Sequence, residues 1–305
     1  MIRLLRVARP QFIISGLALF IFGTAWAVLL GTPFVLSRTL LGYLVLLPAH
    51  LSVSYSNDYF DVDVDKYGGR TLFSGGSGIL VDHPELRKTA KRIAVSLMAF
   101  SLILGIVFQI LYSLPAGFWV FVLFGNLIGW FYSAPPLRLA YRGLGELSMI
   151  LSVGLLIPGF GYFVANGQIN PSGWIFIIPL MLYGLAFILA VEIPDMESDR
   201  LGNKKTWIAG KGRVFGFVVI AASLALATLF FFGLSWLAPR SWPLEFHVLG
   251  VSSLLPMGAG CVGILLRPGE KRSATLIVNG ILIALAVFCV FVDGYLVYMG
   301  LGNTR

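Results

Sequence analysis

Apolar residues in this chain come in long runs rather than at helical or strand spacing. Runs of 18 to 26 residues, each broken by a short polar stretch, predict membrane-spanning helices. Nine are expected, at roughly 11–30, 36–57, 91–112, 115–132, 144–165, 173–192, 213–236, 246–266 and 274–299. The polar stretches are brief except around the loop 66–89, which is too long for a simple connection between neighbouring helices and reads as a lid or binding loop. The expectation is an all-α, polytopic membrane protein forming one unit over residues 1–305, its helices bundled around a central cavity.

Composition agrees with the pattern. Of the 305 residues 58% are hydrophobic and 12% charged, more apolar than a soluble domain of this size needs. Met1–Pro10 is short and basic, and the first apolar run continues at spanning length, so no cleavable signal is expected. Cys261 and Cys289 both fall in apolar spans and point to neither a disulfide framework nor a metal site. The net charge of +8 might suggest nucleic acid, but its distribution follows the membrane instead. Alternating the loops between the two sides puts 19 of the 22 Lys and Arg on one side, leaving Arg38, Arg240 and Arg305 on the other. The positive-inside rule then places the N-terminus in the cytoplasm. Twelve of the fourteen acids share that side, the exceptions being Glu245 and Asp293.

The chemistry concentrates where the second and sixth spans end. Asp58, Asp61 and Asp65 stand at i, i+3 and i+7, within about 60° of one helix face at 100° per residue. Glu192, Asp195 and Asp199 repeat that spacing 134 residues later. The echo continues, since Lys66, Gly68 and Arg70 are matched by Arg200, Gly202 and Lys204. Both motifs emerge on the cytoplasmic face, so the topology lets them meet. Carboxylates on one stripe repel unless a cation sits among them. A hard divalent ion with oxygen ligands answers this, and Mg²⁺ commonly shares its shell with substrate phosphates. Two such halves, each with two basic residues, suit a diphosphate. An acid-rich helix end followed by glycine and a basic residue is ordinarily a solvated terminus. Two copies at matched spacing in a membrane protein favour a functional site.

Other features could join that mouth. Arg3, Arg6 and Arg9 read as a topogenic cluster or as cations reaching the site. His50 lies about two turns, or about 10 Å, below Asn57 and, with Ser54, is a candidate for an acceptor's polar groups; a packing histidine is the plainer reading. Ser74-Gly75-Gly76-Ser77-Gly78 is either a flexible linker or a set of backbone N–H groups held against an anion. Tyr132-Ser133-Ala134-Pro135-Pro136 closes the fourth span in a third cytoplasmic loop, followed by Arg138, which is either a topogenic charge or a site residue. Asp293 is an unexplained membrane acid.

These residues resemble the UbiA superfamily of intramembrane aromatic prenyltransferases. The match rests on Asn57-Asp58-x-x-Asp61-x-x-x-Asp65, Asp195-x-x-x-Asp199 and Tyr132-Ser-x-Pro-Pro, and it spans the chain. Phe73 to Gly78 and Gly202-Asn203-Lys204-Lys205-Thr206 look most like the branch that prenylates 1,4-dihydroxy-2-naphthoate for menaquinone. Lys66-Tyr67-Gly68-Gly69-Arg70 stands where other branches often carry Asp-Arg-Pro-x-Arg-Pro.

The resemblance implies an Mg²⁺-dependent enzyme, with two ions, acting on a prenyl diphosphate and an aromatic acceptor. Its cavity would open to the cytoplasm, with a side route to membrane lipid for the prenyl chain. Asn57, Asp58, Asp61 and Asp65 would form one metal site, and Asp195 and Asp199 the other, with Glu192 a further ligand or orienting partner. Lys66, Arg70, Arg138 and Lys204 would neutralise the diphosphate, and Tyr132 would face an allylic carbocation. Other acceptors stay open: 4-hydroxybenzoate, homogentisate and geranylgeranylglyceryl phosphate. A cation or proton transporter also uses paired acids, but it gains nothing from Arg70 and Lys204 and would hold its acids at mid-membrane. A CDP-alcohol phosphotransferase would carry its aspartates in one continuous motif.

Overall fold

The computed structural model describes residues 2–71, 73–168, 170–238 and 242–303. Arg240 and Arg305, placed above on the far side of the membrane, lie outside the described residues. Among the described residues there is no strand. Nine principal helices carry the fold among the described residues: α1 Pro10–Leu29, α2 Leu36–Asp65, α3 Arg87–Tyr112, α4 Phe118–Phe131, α5 Gly145–Asn166, α6 Pro171–Leu201, α7 Arg213–Leu237, α8 Phe246–Leu266 and α9 Lys271–Asn303. Eight of them are long and apolar enough to cross a membrane. The exception is α4, whose 14 residues reach about 21 Å, short of a hydrocarbon core of about 30 Å.

Two departures from the expected boundaries shape the site. Helix α2 does not stop where its apolar run ends but continues as helix through all the acids to Asp65. By contrast, α6 is interrupted at Ile193–Asp195, where Pro194 sits in a single 3-10 turn, and resumes as Met196–Leu201. Proline has no N–H for the helical ladder and its ring crowds the preceding turn, so the axis re-forms there. Elsewhere the elements follow simple rules. Pro10 opens α1 at its first turn, where a missing donor costs nothing. Within α5, a π-turn at Ser152–Leu156 precedes Pro158, an irregularity common near functional sites.

Among the described residues the helices pack around two large apolar cores, with a third, smaller cluster where α2 and α3 meet the segment at Ile79 and Leu80. One joins α1 with α6 to α9 through Trp26, Phe176, Leu189, Phe217 and Leu249. The other joins α2 to α5 through Phe108, Phe118, Phe121 and Phe160, with Phe20 of α1 inserted. The seam between α1 and α5 is close because Gly161 meets the backbone of Phe20, where any side chain would collide. Thr24 bonds across it to the Gly161 carbonyl at 3.2 Å. Small residues that admit such an approach are the usual means of tightening membrane helices, since lipid supplies no hydrophobic drive between them. The outward faces carry exposed Ile103, Ile110, Leu226, Leu229, Val251 and Leu255, as helices facing acyl chains require. Asp293 keeps one buried oxygen without a partner, and nothing in the structure explains it.

Candidate active site

A cavity of about 180 Å³ opens at the end of the bundle where α2 and α6 finish, and both acid motifs line it. Helix α2 contributes His50, Ser54, Asn57, Asp61 and Asp65. On a helical wheel these fall within about 40° of Asp61, whereas Asp58 sits about 60° to one side. That offset decides its surroundings. Asp58 does not line the cavity; its carboxylate receives Arg9 Nη2 at 2.5 Å and the Ser77 hydroxyl and amide. Asp61 accepts from Ser133 Oγ at 2.9 Å, the Tyr141 hydroxyl at 2.8 Å and Lys204 Nζ at 3.1 Å.

From α6 come Glu192, Asp195 and Asp199. Asp199 accepts from Thr206 Oγ1 at 3.1 Å, and Asp195 Oδ2 from the Gly75 amide at 2.9 Å. Asp195 Oδ1 and both Glu192 oxygens are buried with no hydrogen-bond partner, as is Asn57 Oδ1. Lys204 reaches across from the second motif to the first motif's Asp61, with the rings of Tyr132 and Tyr141 6.0 and 5.8 Å away. Burial by itself would lower the Lys204 pKa, but the Asp61 and Asp199 carboxylates outweigh it and hold the ammonium well above its ordinary range.

The glycine-rich segment folds over this mouth. Gly75, Gly76 and Gly78 all adopt positive φ. At Gly76, with φ +65°, a side chain would also run into the Asp65 carboxylate. The segment's N–H groups do meet anions, and these are carboxylates of both motifs, Asp195 and Asp58. Arg70 braces the loop through two bonds to Asp82, at 2.7 and 2.8 Å, and one to the Gly78 carbonyl at 3.2 Å.

Three of the expected diphosphate cations thus stand apart from the cavity lining. Lys66 is half exposed and pairs with Asp63 at 3.6 Å, Arg70 closes its own loop, and Arg138 lies on the Tyr141 ring at 3.8 Å. Lys204 lines the cavity as expected, and so does Arg9, which sequence reading left between a topogenic and a site role. Ser133, Tyr141 and Thr206 were not singled out. Ser133 stood inside the Tyr132 motif and Thr206 at the end of the Gly202–Thr206 run, but Tyr141 is a common residue whose spacing carries no signal.

Two further cavities lead away from the mouth. One, of about 360 Å³, lies between α1, α6 and α9 and is almost wholly apolar; its lining includes Ile14 and Val290, both exposed on the bundle's outer surface. The other, of about 170 Å³, lies between α2, α4 and α5 and shares His50, Asn57, Tyr132 and Met149 with the mouth.

Opposed acid-bearing helix ends above apolar chambers, inside a bundle of membrane helices, define an intramembrane enzyme for a substrate with an anionic head and a greasy tail. The chain belongs to the UbiA prenyltransferase family, whose family model matches residues 17–278, and it is a prenyltransferase. It is 27% identical over 234 residues to a 1,4-dihydroxy-2-naphthoate octaprenyltransferase of Bacillus subtilis, covering 75% of this chain and 72% of the relative. To a 2-carboxy-1,4-naphthoquinone phytyltransferase of Synechocystis sp. it is 28% identical over 179 residues, covering 56% and 54%. A UbiA homolog from Archaeoglobus fulgidus solved with GPP and Mg²⁺ shares the fold with a TM-score of 0.67 at 18% identity, over 97% of this chain and 99% of that one.

The oxygens left unpartnered at Asn57, Glu192 and Asp195 are hard donors in a buried, acidic mouth, which suits a divalent cation with oxygen ligands. Among the described residues no three His, Cys, Asp or Glu side chains are grouped closely enough to hold an ion as they stand.

Proposed function

We propose that this protein, acting as one unit over residues 1–305, transfers a prenyl group from a prenyl diphosphate to 1,4-dihydroxy-2-naphthoate, a step of menaquinone biosynthesis. The observation that carries the reading is the mouth itself. Buried carboxylate oxygens without protein partners, and one buried lysine held charged, stand at the junction of two separate chambers. The naphthoate-prenylating relative of Bacillus subtilis supports the choice of acceptor.

In this reading Asn57, Asp61, Asp65, Asp195 and Asp199, with Glu192 beside them, hold two Mg²⁺ ions, and Asp58 serves from one side by anchoring Arg9. The bound ions would neutralise the diphosphate and make it a better leaving group. Lys204 and Arg9 supply the protein's own positive charge to the departing oxygens, and Lys66, Arg70 and Arg138 act from the rim. The prenyl chain lies in the apolar chamber between α1 and α9, which reaches toward lipid. As the allylic C–O bond breaks, the Tyr132 ring faces the developing carbocation, and the apolar walls keep out water that would quench it to an alcohol. The acceptor ring, placed near His50 and Ser54, attacks the cation. Carbon dioxide then leaves from the attacked carbon, and its bonding electrons return to the ring to give the prenylated naphthoquinol. The mouth opens to the cytoplasm and the protein resides in the cell membrane, as the charge distribution indicates.

Product analysis tests this directly. The purified protein in lipid, given Mg²⁺, geranylgeranyl diphosphate and the naphthoate, is expected to yield a decarboxylated prenyl naphthoquinol that vanishes in Asp61→Asn and Asp195→Asn. Turnover of 4-hydroxybenzoate, homogentisate or geranylgeranylglyceryl phosphate instead would overturn the acceptor. Absence of any Mg²⁺-dependent product would return the protein to cation transport.

A further inference from the structure

The two chambers that diverge from the mouth are both mainly apolar but differ in their polar groups, Tyr183 among those of the larger and Ser101, Asn126, Ser148 and Ser152 among those of the smaller. The larger, between α1, α6 and α9, is walled by side chains such as Phe22, Leu180, Leu282 and Phe288. The smaller, between α2, α4 and α5, has hydrocarbon walls of Val45, Phe121, Val122 and Phe160 but contains the carboxamide of Asn126. Asn126 is 93% buried, from a relative exposure of 7%. It stands on α4 six residues before Tyr132, so about 9 Å deeper along the helix.

The orientation of that carboxamide follows from its neighbours. Its nitrogen donates to the Val122 carbonyl at 2.8 Å and to Ser101 Oγ at 3.3 Å. The Val122 carbonyl can only accept, and the Ser101 proton is already committed to the Val45 carbonyl at 2.8 Å. Flipping the amide would set oxygen against oxygen at both contacts, so the nitrogen is fixed. Asn126 Oδ1 is left as an acceptor, buried in the chamber lining without any partner. A buried carbonyl in hydrocarbon that lacks a donor is costly and calls for an explanation.

We propose that Asn126 is a specificity-determining contact: its Oδ1 accepts the O–H of an acceptor-ring hydroxyl remote from the carbon that is prenylated. The inference rests on the prenyl-transfer reading above and names the chamber and the atom that select the acceptor. A neutral hydroxyl satisfies Oδ1, whereas a carboxylate placed there would set two acceptors against each other. The ring therefore enters with its carboxylate toward Lys204 at the mouth and its far hydroxyl toward α4. In 1,4-dihydroxy-2-naphthoate that group is the 4-hydroxyl. A polyisoprene chain has no donor for Asn126 and is served better by the other chamber.

The test compares kcat/KM for 1,4-dihydroxy-2-naphthoate and 1-hydroxy-2-naphthoate, with one prenyl diphosphate and Mg²⁺, in the wild-type protein, Asn126→Leu and Asn126→Ala. Because the two acceptors differ in intrinsic reactivity, the quantity read is the change in their ratio. Loss of one hydrogen bond to a neutral group predicts that the wild-type preference for the dihydroxy acceptor falls about tenfold in both variants. Melting temperature and KM for prenyl diphosphate, which is bound in the other chamber, show that the variants are folded; where leucine does not fit, the alanine variant carries the comparison. An unchanged ratio would overturn the role of Asn126 and leave prenyl transfer intact. A wild-type protein that prenylates neither compound would overturn the prenyl-transfer reading itself, and the assignment with it.

Discussion

The two acid-bearing helix ends are similar in sequence and opposite in how they are satisfied. At the end of α2 two of the three stripe acids are tied to protein side chains: Asp58 to Arg9 and Ser77, Asp61 to Ser133, Tyr141 and Lys204. At the end of α6 several oxygens are left bare, both from Glu192 and one from Asp195. The matched cations also part ways. Lys204 crosses to the opposite motif, while its counterpart Arg70 turns back onto Asp82 and Gly78. A repeat in sequence has become two differently satisfied ends, one braced by side-chain donors and the other with buried oxygens that lack them. The kink at Pro194 separates them physically, because it ends the continuous helix that α2 keeps.

The sharpest way to break the comparison is to remove a tie. Asp61→Ala leaves the Lys204 ammonium buried without its partner, which is expected to cost about 3–5 kcal/mol of stability and to abolish turnover. Adding Lys204→Met should restore thermal stability without restoring activity. If the double variant melts as low as the single one, the pair is not the brace argued here.

The open end should behave in the reverse sense. Glu192→Gln replaces a buried acid that stands near the Glu146 carboxyl, so thermal stability without Mg²⁺ is expected to hold or rise, while turnover falls about a hundredfold and half-maximal activity needs more Mg²⁺. Asp58→Asn should instead lower stability with little change in that Mg²⁺ requirement. Titrating both variants with Mg²⁺ under matched conditions separates frame from ligand, and identical shifts would erase the distinction.

Smaller effects belong to the loop that joins the two ends. Gly76→Ala forces a side chain into left-handed backbone beside Asp65 and is expected to cost about 1–2 kcal/mol, seen as a lower melting temperature and reduced turnover. Arg70→Ala should barely move the melting temperature, since both partners of the Arg70–Asp82 pair are near half exposed, yet it should speed hydrogen exchange over residues 73–78. Asp82 sets the sign of the pH effect on that loop. The hydrogen bonds from Arg70 hold its carboxyl below the ordinary carboxylate value. The contribution is therefore complete above that ordinary value and disappears as pH falls through the depressed one. Exchange in the loop should then be flat near neutrality and accelerate only in acid; acceleration toward alkaline pH beyond the intrinsic base-catalysed rate would contradict the clasp.

Much of this was legible beforehand because membrane helices announce themselves by length and hydropathy. The expected boundaries of α7 and α8 differ from those observed by a residue at most. The juxtaposition of Asp61 with Asp199 followed from topology, since both even-numbered spans end on one side. The overestimate of α4, 115–132 against Phe118–Phe131, arose because Pro115 and Ala116 extend the apolar run without extending the helix. Among site residues, those belonging to a spaced motif were found and lone ones were not. Tyr141 and Asn126 make contacts across 80 and 25 positions respectively, and nothing near them in the chain marks them.

The amino-acid sequence by itself determined that this is a helical membrane protein of the prenyl-transferring type, with two acid motifs at one face. Those properties are local or periodic: hydrophobic length, charge asymmetry and i, i+3, i+7 spacing each follow from a few adjacent residues. Tertiary structure alone decided which oxygens are tied and which are bare, which cation lines the mouth, and which polar groups line each chamber. Each of those outcomes depends on a contact between distant helices, where a rotation of about 60° carries a side chain from the cavity to its neighbour, as it does for Asp58.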